Sequence, residues 1–268
     1  MRAADFGRRF RAWLALVCLS CEPTLVVGSW TCDPDGDAPL PPVDTSMTEP
    51  VMLPWETGFE NGFCDYADSG GLCYANPAAS YALVSSPARS GSRAAAFQVA
   101  GEEGDGLQAR CARHGILPQA AYSGAWFYVP VPITSSNNFN LFHFDGNGAD
   151  VHHDLWDVSL EIDADGELSA YVFDFLRMTT RRPSGVSGRV PVAEWFHLEV
   201  HWVRAADPTG SFELYVNGTK ALSLTDLVTD DSTAGEWYVG SLATELQPRP
   251  NTLYVDDVTL SATPRGGS

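Results

Sequence analysis

From residue 51 onward, apolar and polar residues alternate in many short segments. In the segment Trp195–Arg204, for example, Phe196, Leu198, Val200 and Trp202 alternate with polar residues. Side chains two positions apart lie on the same face of a β-strand, so this period of two is typical of strands with one buried face. Turn residues separate the segments, and no helical period is convincing. The pattern therefore predicts an all-β protein.

Ten segments carry the alternation strongly enough to be predicted as strands. They are Ala94–Val99, Leu107–Arg113, Tyr122–Val131, Asn138–Asp145, Asp157–Asp163, Leu168–Phe175, Trp195–Arg204, Ser211–Val216, Glu236–Ser241 and Thr252–Ser261. Two hairpins are also indicated, because Asp165-Gly166 and Asn217-Gly218 each follow such a segment and tolerate the positive φ of a tight turn. About ten strands in roughly 210 residues favour one antiparallel two-sheet β-sandwich or jelly roll.

The amino terminus has the pattern of an export signal over residues 1–21. Arginines precede the apolar run Ala12–Leu19, which is too short to span a bilayer as a stable helix. The run ends in Cys18-Leu19-Ser20-Cys21, which resembles the lipobox of bacterial lipoproteins and would make Cys21 the lipidated residue. Ordinary cleavage near Val26-Val27-Gly28 is the alternative. We therefore expect an exported protein, either an outer-membrane or cell-surface lipoprotein or a secreted one.

Composition divides the rest of the chain into three parts. Residues 22–50 are rich in Pro and Asp with little periodic apolarity, which predicts a disordered linker. Residues 51–263 carry the strand pattern and are expected to form the jelly-roll domain, and residues 264–268 form a tail.

Charge excludes two classes of function. The 34 acidic residues outnumber the 16 basic ones, and the formal net charge is -18. A general nucleic-acid binder needs a dominant basic surface to neutralise phosphates, so we expect no nucleic-acid partner. Lys220 is the only lysine, which argues against Schiff-base chemistry.

Three cysteines belong to the predicted domain, and outside the cytoplasm their thiols can oxidise. Cys64 and Cys73 bracket an eight-residue loop that contains Ser69-Gly70-Gly71. This spacing predicts a local disulfide between Cys64 and Cys73, and a Cys73–Cys111 disulfide is the other pairing.

Four motifs occur in the order seen in concanavalin A-like domains. They are Ala88–Ala94, Glu194–Val200, Phe212–Gly218 and Leu253–Val258. From about residue 51 to residue 262 the chain thus resembles a laminin G-like or polysaccharide-lyase-like jelly roll. The resemblance implies two curved antiparallel sheets and a concave face used for saccharides. Members of the superfamily are lectins, glucanases, lyases or adhesion modules, so the fold alone does not give the function.

Three strands resemble the catalytic strands of polysaccharide lyases. They are Gln108–Arg113, Leu141–His143 and Glu236–Leu242. Each keeps part of the family pattern and replaces another part. In a lyase reading the resemblance implies that His143 and Tyr238 are catalytic and that Arg110 lies near the substrate.

Sugar binding without catalysis requires aromatic planes and a few planar polar groups. Trp126 and Tyr128 share one face of a predicted strand, and Trp156 and Tyr171 are further aromatic candidates. With Arg110 and His143, these are the predicted carbohydrate-binding residues.

A structural calcium ion is implied by a second feature of the resemblance. In similar carbohydrate-binding jelly rolls, an early Phe-Glu pair and a late Asp-Asp pair bind calcium together. Phe59-Glu60 and Asp256-Asp257 match these positions, so Glu60, Asp256 and Asp257 are the predicted calcium ligands.

The sequence leaves three functions open. The first is an exported or surface-tethered glycan-binding module, with a polysaccharide as partner and membrane contact only through a lipid anchor. The second is a lyase that cleaves a uronate-containing glycan by β-elimination. The third is a non-catalytic adhesion or scaffold module. In each case we expect a monomer.

Overall fold

The protein was analysed as a computed structural model that describes residues 49–100, 107–135, 138–147, 152–230, 232 and 234–266. Within these ranges the chain forms fifteen strands and one short helix. In chain order the elements are β1 (Trp55–Thr57), α1 (Cys64–Ala67), β2 (Leu72–Ala75), β3 (Ala79–Val84), β4 (Ala94–Val99), β5 (Leu107–Gly115), β6 (Ala120–Tyr128), β7 (Phe139–Asn147), β8 (His152–Ile162), β9 (Leu168–Asp174), β10 (Thr179–Arg181), β11 (Trp195–Val203), β12 (Gly210–Val216), β13 (Thr219–Leu227), β14 (Ala234–Ala243) and β15 (Asn251–Ser261).

The strands form two antiparallel sheets. An eight-stranded sheet has the order β13-β12-β11-β6-β15-β4-β3, with β1 also pairing with β15. A seven-stranded sheet has the order β10-β9-β8-β7-β14-β5-β2. From β4 to β7, consecutive strands belong to alternate sheets, as in a jelly roll. The predicted two-sheet β-sandwich is therefore confirmed.

Aromatic residues from the facing sides of both sheets fill the space between them. The ring centroids of Phe127 on β6 and Phe142 on β7 are 5.2 Å apart, and those of Phe144 and Phe212 are 5.8 Å apart. Trp237 is also fully buried in this core. Each such side chain stabilises the fold by about 1.5–3 kcal/mol through burial alone. This packing fixes which face of each strand points outward.

Both predicted hairpins are present. Asn217 and Gly218 have φ values of 48° and 75° and connect β12 to β13. Gly166, with φ 89°, lies in the turn between β8 and β9. The glycines occupy the left-handed region, where a Cβ atom would be strained.

The predicted Cys64–Cys73 disulfide is wrong. Cys73 pairs with Cys111, across a sequence separation of 38 residues. The reason is strand pairing: β2 lies antiparallel to β5 with Cys73 directly opposite Cys111, so their Cα atoms are 3.9 Å apart. Cys64 lies in α1 and is disulfide-bonded elsewhere.

The predicted signal peptide, its Cys21 and almost all of the predicted linker lie outside the described residues. In the part of the chain that is described, no helix combines the length and apolarity needed to span a membrane.

Candidate functional site

Polar side chains gather on the outer face of the seven-stranded sheet. Strand pairing places Tyr74 opposite Arg110, Tyr238 opposite His143, and His143 opposite Asp157. The guanidinium carbon of Arg110 lies 4.2 Å from the centre of the Tyr238 ring. This contact connects the Tyr74–Arg110 pair to Tyr238 and the residues beyond it. These five side chains form one row across β2, β5, β14, β7 and β8, which we call the polar row.

Arg110 contributes a buried positive charge that forms no ion pair with a carboxylate of the described residues. Its side chain donates a hydrogen bond from Nε to the hydroxyl of Tyr74, at 2.9 Å, and its residue is only 8% exposed. Among the described residues, its Nη1 has no hydrogen-bond partner and no carboxylate lies within ion-pair distance. Tyr74 in turn donates to Gln108 Oε1 at 3.2 Å. A buried guanidinium with an unused donor is costly unless an anion binds it.

His143 is enclosed by three carboxylates. Its Nδ1 contacts Asp157 Oδ1, and its Nε2 lies 2.5 Å from Asp145 Oδ1 and 3.3 Å from Asp154 Oδ1. Burial disfavours a charged ring, but the hydrogen bonds to the three carboxylates outweigh it and hold the pKa of His143 well above its usual value. The three carboxylates therefore favour the protonated ring, an imidazolium.

A β-bulge brings two of these carboxylates to the same face. Asp145 pairs with Asp154 and Phe144 pairs with Trp156, so Leu155 is an extra residue in β8. Strict alternation would direct Asp154 and Asp157 to opposite faces of the strand, because they are three residues apart. The bulge reverses the parity, so both point towards His143.

Glu236 lies beside this cluster, opposite Asp145 on the neighbouring strand. Burial and the negative charge of Asp145 raise the pKa of Glu236 to about 7. The outer face thus carries more buried carboxyl groups than cations.

A groove of about 610 Å³ continues from Asp157 towards the β10 edge of the sheet. This volume is within the range of about 300–1,000 Å³ typical of ligand sites. Aromatic side chains line it, namely Tyr171, Phe173 and Phe175. Arg182 lines the far end and is ion-paired with Glu161, at 2.5 Å. The polar row and this groove together form one continuous surface.

The structure brings together three of the residues predicted from sequence, Arg110, His143 and Tyr238. Tyr171 lies on the same sheet, in the groove. Trp126 and Tyr128 are separated from them, because β6 belongs to the other sheet. The guanidinium of Arg89 lies 4.0 Å from the centre of the Trp126 ring and covers one of its faces.

The prediction that Trp156 binds a sugar is wrong. Its side chain is completely buried, stacks on Phe212 with ring centroids 4.5 Å apart, and donates a hydrogen bond from Nε1 to the carbonyl oxygen of Thr229. The reason is strand parity: Trp156 lies on the same face of β8 as Val158 and Leu160, which are buried in the core.

The three predicted calcium ligands converge on the loop formed by residues 89–93. Glu60 accepts hydrogen bonds from the amides of Ser92 and Arg93, and Asp256 accepts from those of Arg89 and Ser90. This loop presents N–H donors to the carboxylates, whereas calcium would need oxygen ligands. In this loop conformation the carboxylates accept hydrogen bonds from the loop, and the calcium site stays a prediction.

Sequence reasoning missed Tyr74 and the carboxylates around His143. Tyr74 had a usable signal: had Cys73 been paired with Cys111, antiparallel register would have placed Tyr74 opposite Arg110. The carboxylates had none, because the bulge that gathers them depends on how β7 and β8 pair.

The fold and the site define a class of protein: a jelly-roll sandwich with a row of charged and polar side chains and an aromatic groove on one sheet. No protein-family model matches the sequence, and no curated protein matches it. Several solved structures do resemble the fold. An endo-β-1,4-glucuronan lyase from the fungus Trichoderma reesei is 15% identical, with a TM-score of 0.54 over 71% of this chain and 90% of that one.

The cellulose induced protein Cip1 is 16% identical, with a TM-score of 0.56 over 79% of this chain and 98% of that one. An alginate lyase in complex with an alginate trisaccharide is 12% identical, with a TM-score of 0.51 over 76% of this chain and 91% of that one. At such identities the likeness establishes a shared jelly-roll fold.

Proposed function

We propose that the polar row and its groove bind an acidic polysaccharide and cleave it by β-elimination. The observation that carries this proposal is Arg110, a buried guanidinium with an unused donor and no carboxylate partner in the described part of the chain. A uronate carboxylate is the planar anion that such a group binds best. The solved structures of a glucuronan lyase and an alginate lyase on the same fold support this choice.

In β-elimination, a base removes the proton at C5 of the uronate. The electrons of that C–H bond form the C4=C5 double bond, the bond from C4 to the glycosidic oxygen breaks, and that oxygen takes up a proton. The negative charge that develops on the carboxylate needs a nearby cation. Arg110 would bind that carboxylate.

Tyr238 is the residue we assign to proton transfer. Its ring lies between the two cations, 4.2 Å from the Arg110 guanidinium and 5.5 Å from the His143 ring. His143 is not assigned as the base, because its Nδ1 is held by Asp157 and its Nε2 faces Asp145 at 2.5 Å. Tyr238 would take the C5 proton and return it to the leaving oxygen, so no net proton is consumed.

Because His143 is held by carboxylates and is not assigned as the base, a second candidate function is glycan binding without cleavage. If Tyr238 cannot lose its proton, the row still offers Arg110 and aromatic rings to a sugar acid. The two candidates differ in turnover and share the binding face.

The test is incubation of the purified protein with glucuronan, alginate and glycosaminoglycans, monitored by the absorbance of the unsaturated uronate product. We expect turnover of at least one polymer. Arg110→Met should lower kcat/KM at least 100-fold, because a charged hydrogen-bonding partner of the substrate is lost. Tyr238→Phe should lower kcat about 10²–10⁴-fold while the polymer is still retained in affinity electrophoresis.

Arg265→Met is the matched control, since Arg265 pairs with Glu56 away from the polar row. It should leave turnover unchanged. Retention of the polymers without any turnover would contradict the lyase and support the binding module. Neither retention nor turnover would favour a scaffold role.

A further inference from the structure

The ligand atoms around His143 have the spacing of a metal site. His143 Nε2, one oxygen of Asp145 and one oxygen of Asp154 all lie within 4.8 Å of one another. The distance from Nε2 is 2.5 Å to Asp145 and 3.3 Å to Asp154. Bonds of about 2.0–2.2 Å to a central ion place neighbouring ligand atoms about 3.0–3.5 Å apart. The Asp154 distance already fits, and Asp145 needs a shift of about 0.5–1 Å.

The second nitrogen of His143 is held in the way that metal-binding histidines usually are. Nδ1 contacts the buried carboxylate of Asp157. Metal-ligating histidines almost always donate their other N–H to a carboxylate or carbonyl, which fixes the tautomer and aims the free nitrogen at the ion. Here that arrangement aims Nε2 at Asp145 and Asp154.

The charges around His143 favour an additional cation. Asp145, Asp157 and Glu236 are buried, and Asp154 completes a group of four carboxyl groups. The nearby cations are Arg110 and the His143 ring. An ion bound between Nε2 and the two carboxylates replaces a single proton with two positive charges at the same point.

We propose that His143, Asp145 and Asp154 form a binding site for one divalent transition-metal ion such as Zn²⁺ or Mn²⁺. One imidazole nitrogen with two carboxylate oxygens suits these ions, whereas Ca²⁺ and Mg²⁺ favour oxygen ligands alone. Three protein ligands leave coordination positions for water or for an oxygen of a ligand in the groove. The site lies in the proposed lyase groove but does not require that the protein cleave a polysaccharide.

The experiment is isothermal titration of purified, untagged protein with ZnCl₂, without any polysaccharide. We expect one Zn²⁺ per chain. Asp154→Asn should weaken the affinity at least tenfold, and its side chain is 54% exposed, so the fold should tolerate the change. Asp157→Asn should weaken it 10–100-fold through loss of the support to Nδ1. Asp226→Asn, an exposed position on the other sheet with φ 58°, is the matched control and should change nothing.

Co²⁺ gives an independent readout through its visible absorption bands. These bands should appear with the wild-type protein and the Asp226→Asn variant and be lost with Asp154→Asn. The absence of stoichiometric Zn²⁺ binding, or equal affinity in the wild type and Asp154→Asn, would overturn the proposal. So would binding that is lost in His153→Ala but kept in Asp154→Asn. Because no sugar is present, a failure of the lyase proposal would not affect this result.

Discussion

At the scale of single residues, His197 shows how burial sets a protonation state. It lies on β11, is only 2% exposed, and packs beside Trp126 with ring centroids 5.3 Å apart. Burial, together with the positive charge of Arg89, lowers the pKa of His197 to about 4. The imidazole is therefore neutral in the folded protein at neutral pH, in contrast to the charged ring of His143 on the other sheet.

This burial predicts a pH dependence of stability. An unfolded histidine titrates at 6.5, so between pH 4 and 6.5 the unfolded chain binds more protons at His197 than the folded one. The free energy of unfolding should therefore fall as the pH drops from 6.5 to 4, by about 3 kcal/mol in total. Urea unfolding at a series of pH values measures this change in the free energy of unfolding.

In His197→Gln this contribution should disappear and the pH profile should flatten over that window. His201→Gln, on the same strand, is the matched control and should keep the wild-type profile. Identical profiles for the wild type and His197→Gln would show that the buried imidazole does not cause the effect.

At the scale of elements, the edge strand β2 carries Tyr74 into the polar row. β2 has four residues and pairs on one side only, with β5. Short edge strands fray easily, because few hydrogen bonds hold them. The Cys73–Cys111 disulfide joins β2 to β5 one residue from the Tyr74–Arg110 pair and so keeps Tyr74 in place.

The Cys73→Ser/Cys111→Ser variant should therefore lose about 3–4 kcal/mol of stability, the value expected for a loop of this length. Amide hydrogen exchange in β2 should become faster. The central strands β7 and β14 should still exchange more slowly than the other strands. Urea unfolding and amide exchange measure the two effects. A variant as stable as the wild type with a protected β2 would contradict this role.

The bulge in β8 acts at the same scale and decides what the polar row contains. With regular pairing, Asp154 and Asp157 would lie on opposite faces of β8, and Asp154 would point away from His143. A single extra residue, Leu155, brings the carboxylate of Asp154 to the same face as Asp157.

At the scale of the whole molecule, carboxylates tie the first and last strands to one loop. Glu60 follows β1, and Asp256 and Asp257 belong to β15, which pairs with β1. All three accept hydrogen bonds from the loop of residues 89–93. This junction closes one end of the eight-stranded sheet.

The calcium expectation applies to this junction. If calcium binds there, 2 mM Ca²⁺ should raise the melting temperature over EDTA by several degrees, because a ligand at about 100 times its Kd stabilises by about 2.7 kcal/mol. Glu60→Gln should remove the shift, whereas Glu194→Gln, a change at an exposed residue just before β11, should keep it. Equal melting temperatures with Ca²⁺ and EDTA would contradict the expectation.

Net charge also acts on the whole molecule. The chain carries -18, so its average field repels a polyuronate at long range. Binding of such a polymer must therefore come from cations placed locally, such as Arg110.

The strands that were predicted correctly are those with two faces of different polarity. Ala94–Val99 matches β4 residue for residue, and Trp195–Arg204 matches β11 to within one residue. The missed strands β1, β2, β3, β10 and β13 are either short or weakly alternating. Most of them lie at the edges of the sheets. An edge strand pairs with a single neighbour, so its apolar and polar residues need to alternate less regularly.

The sequence by itself determined the class of fold, because alternation and turn chemistry are local properties that a strand needs wherever it lies. It also singled out Arg110, His143 and Tyr238 through their motifs. Only the tertiary structure decided which strands are neighbours, and with that the Cys73–Cys111 disulfide, the place of Tyr74 and the carboxylates around His143. Pairing and bulges depend on contacts between segments far apart in the chain, which no local pattern encodes.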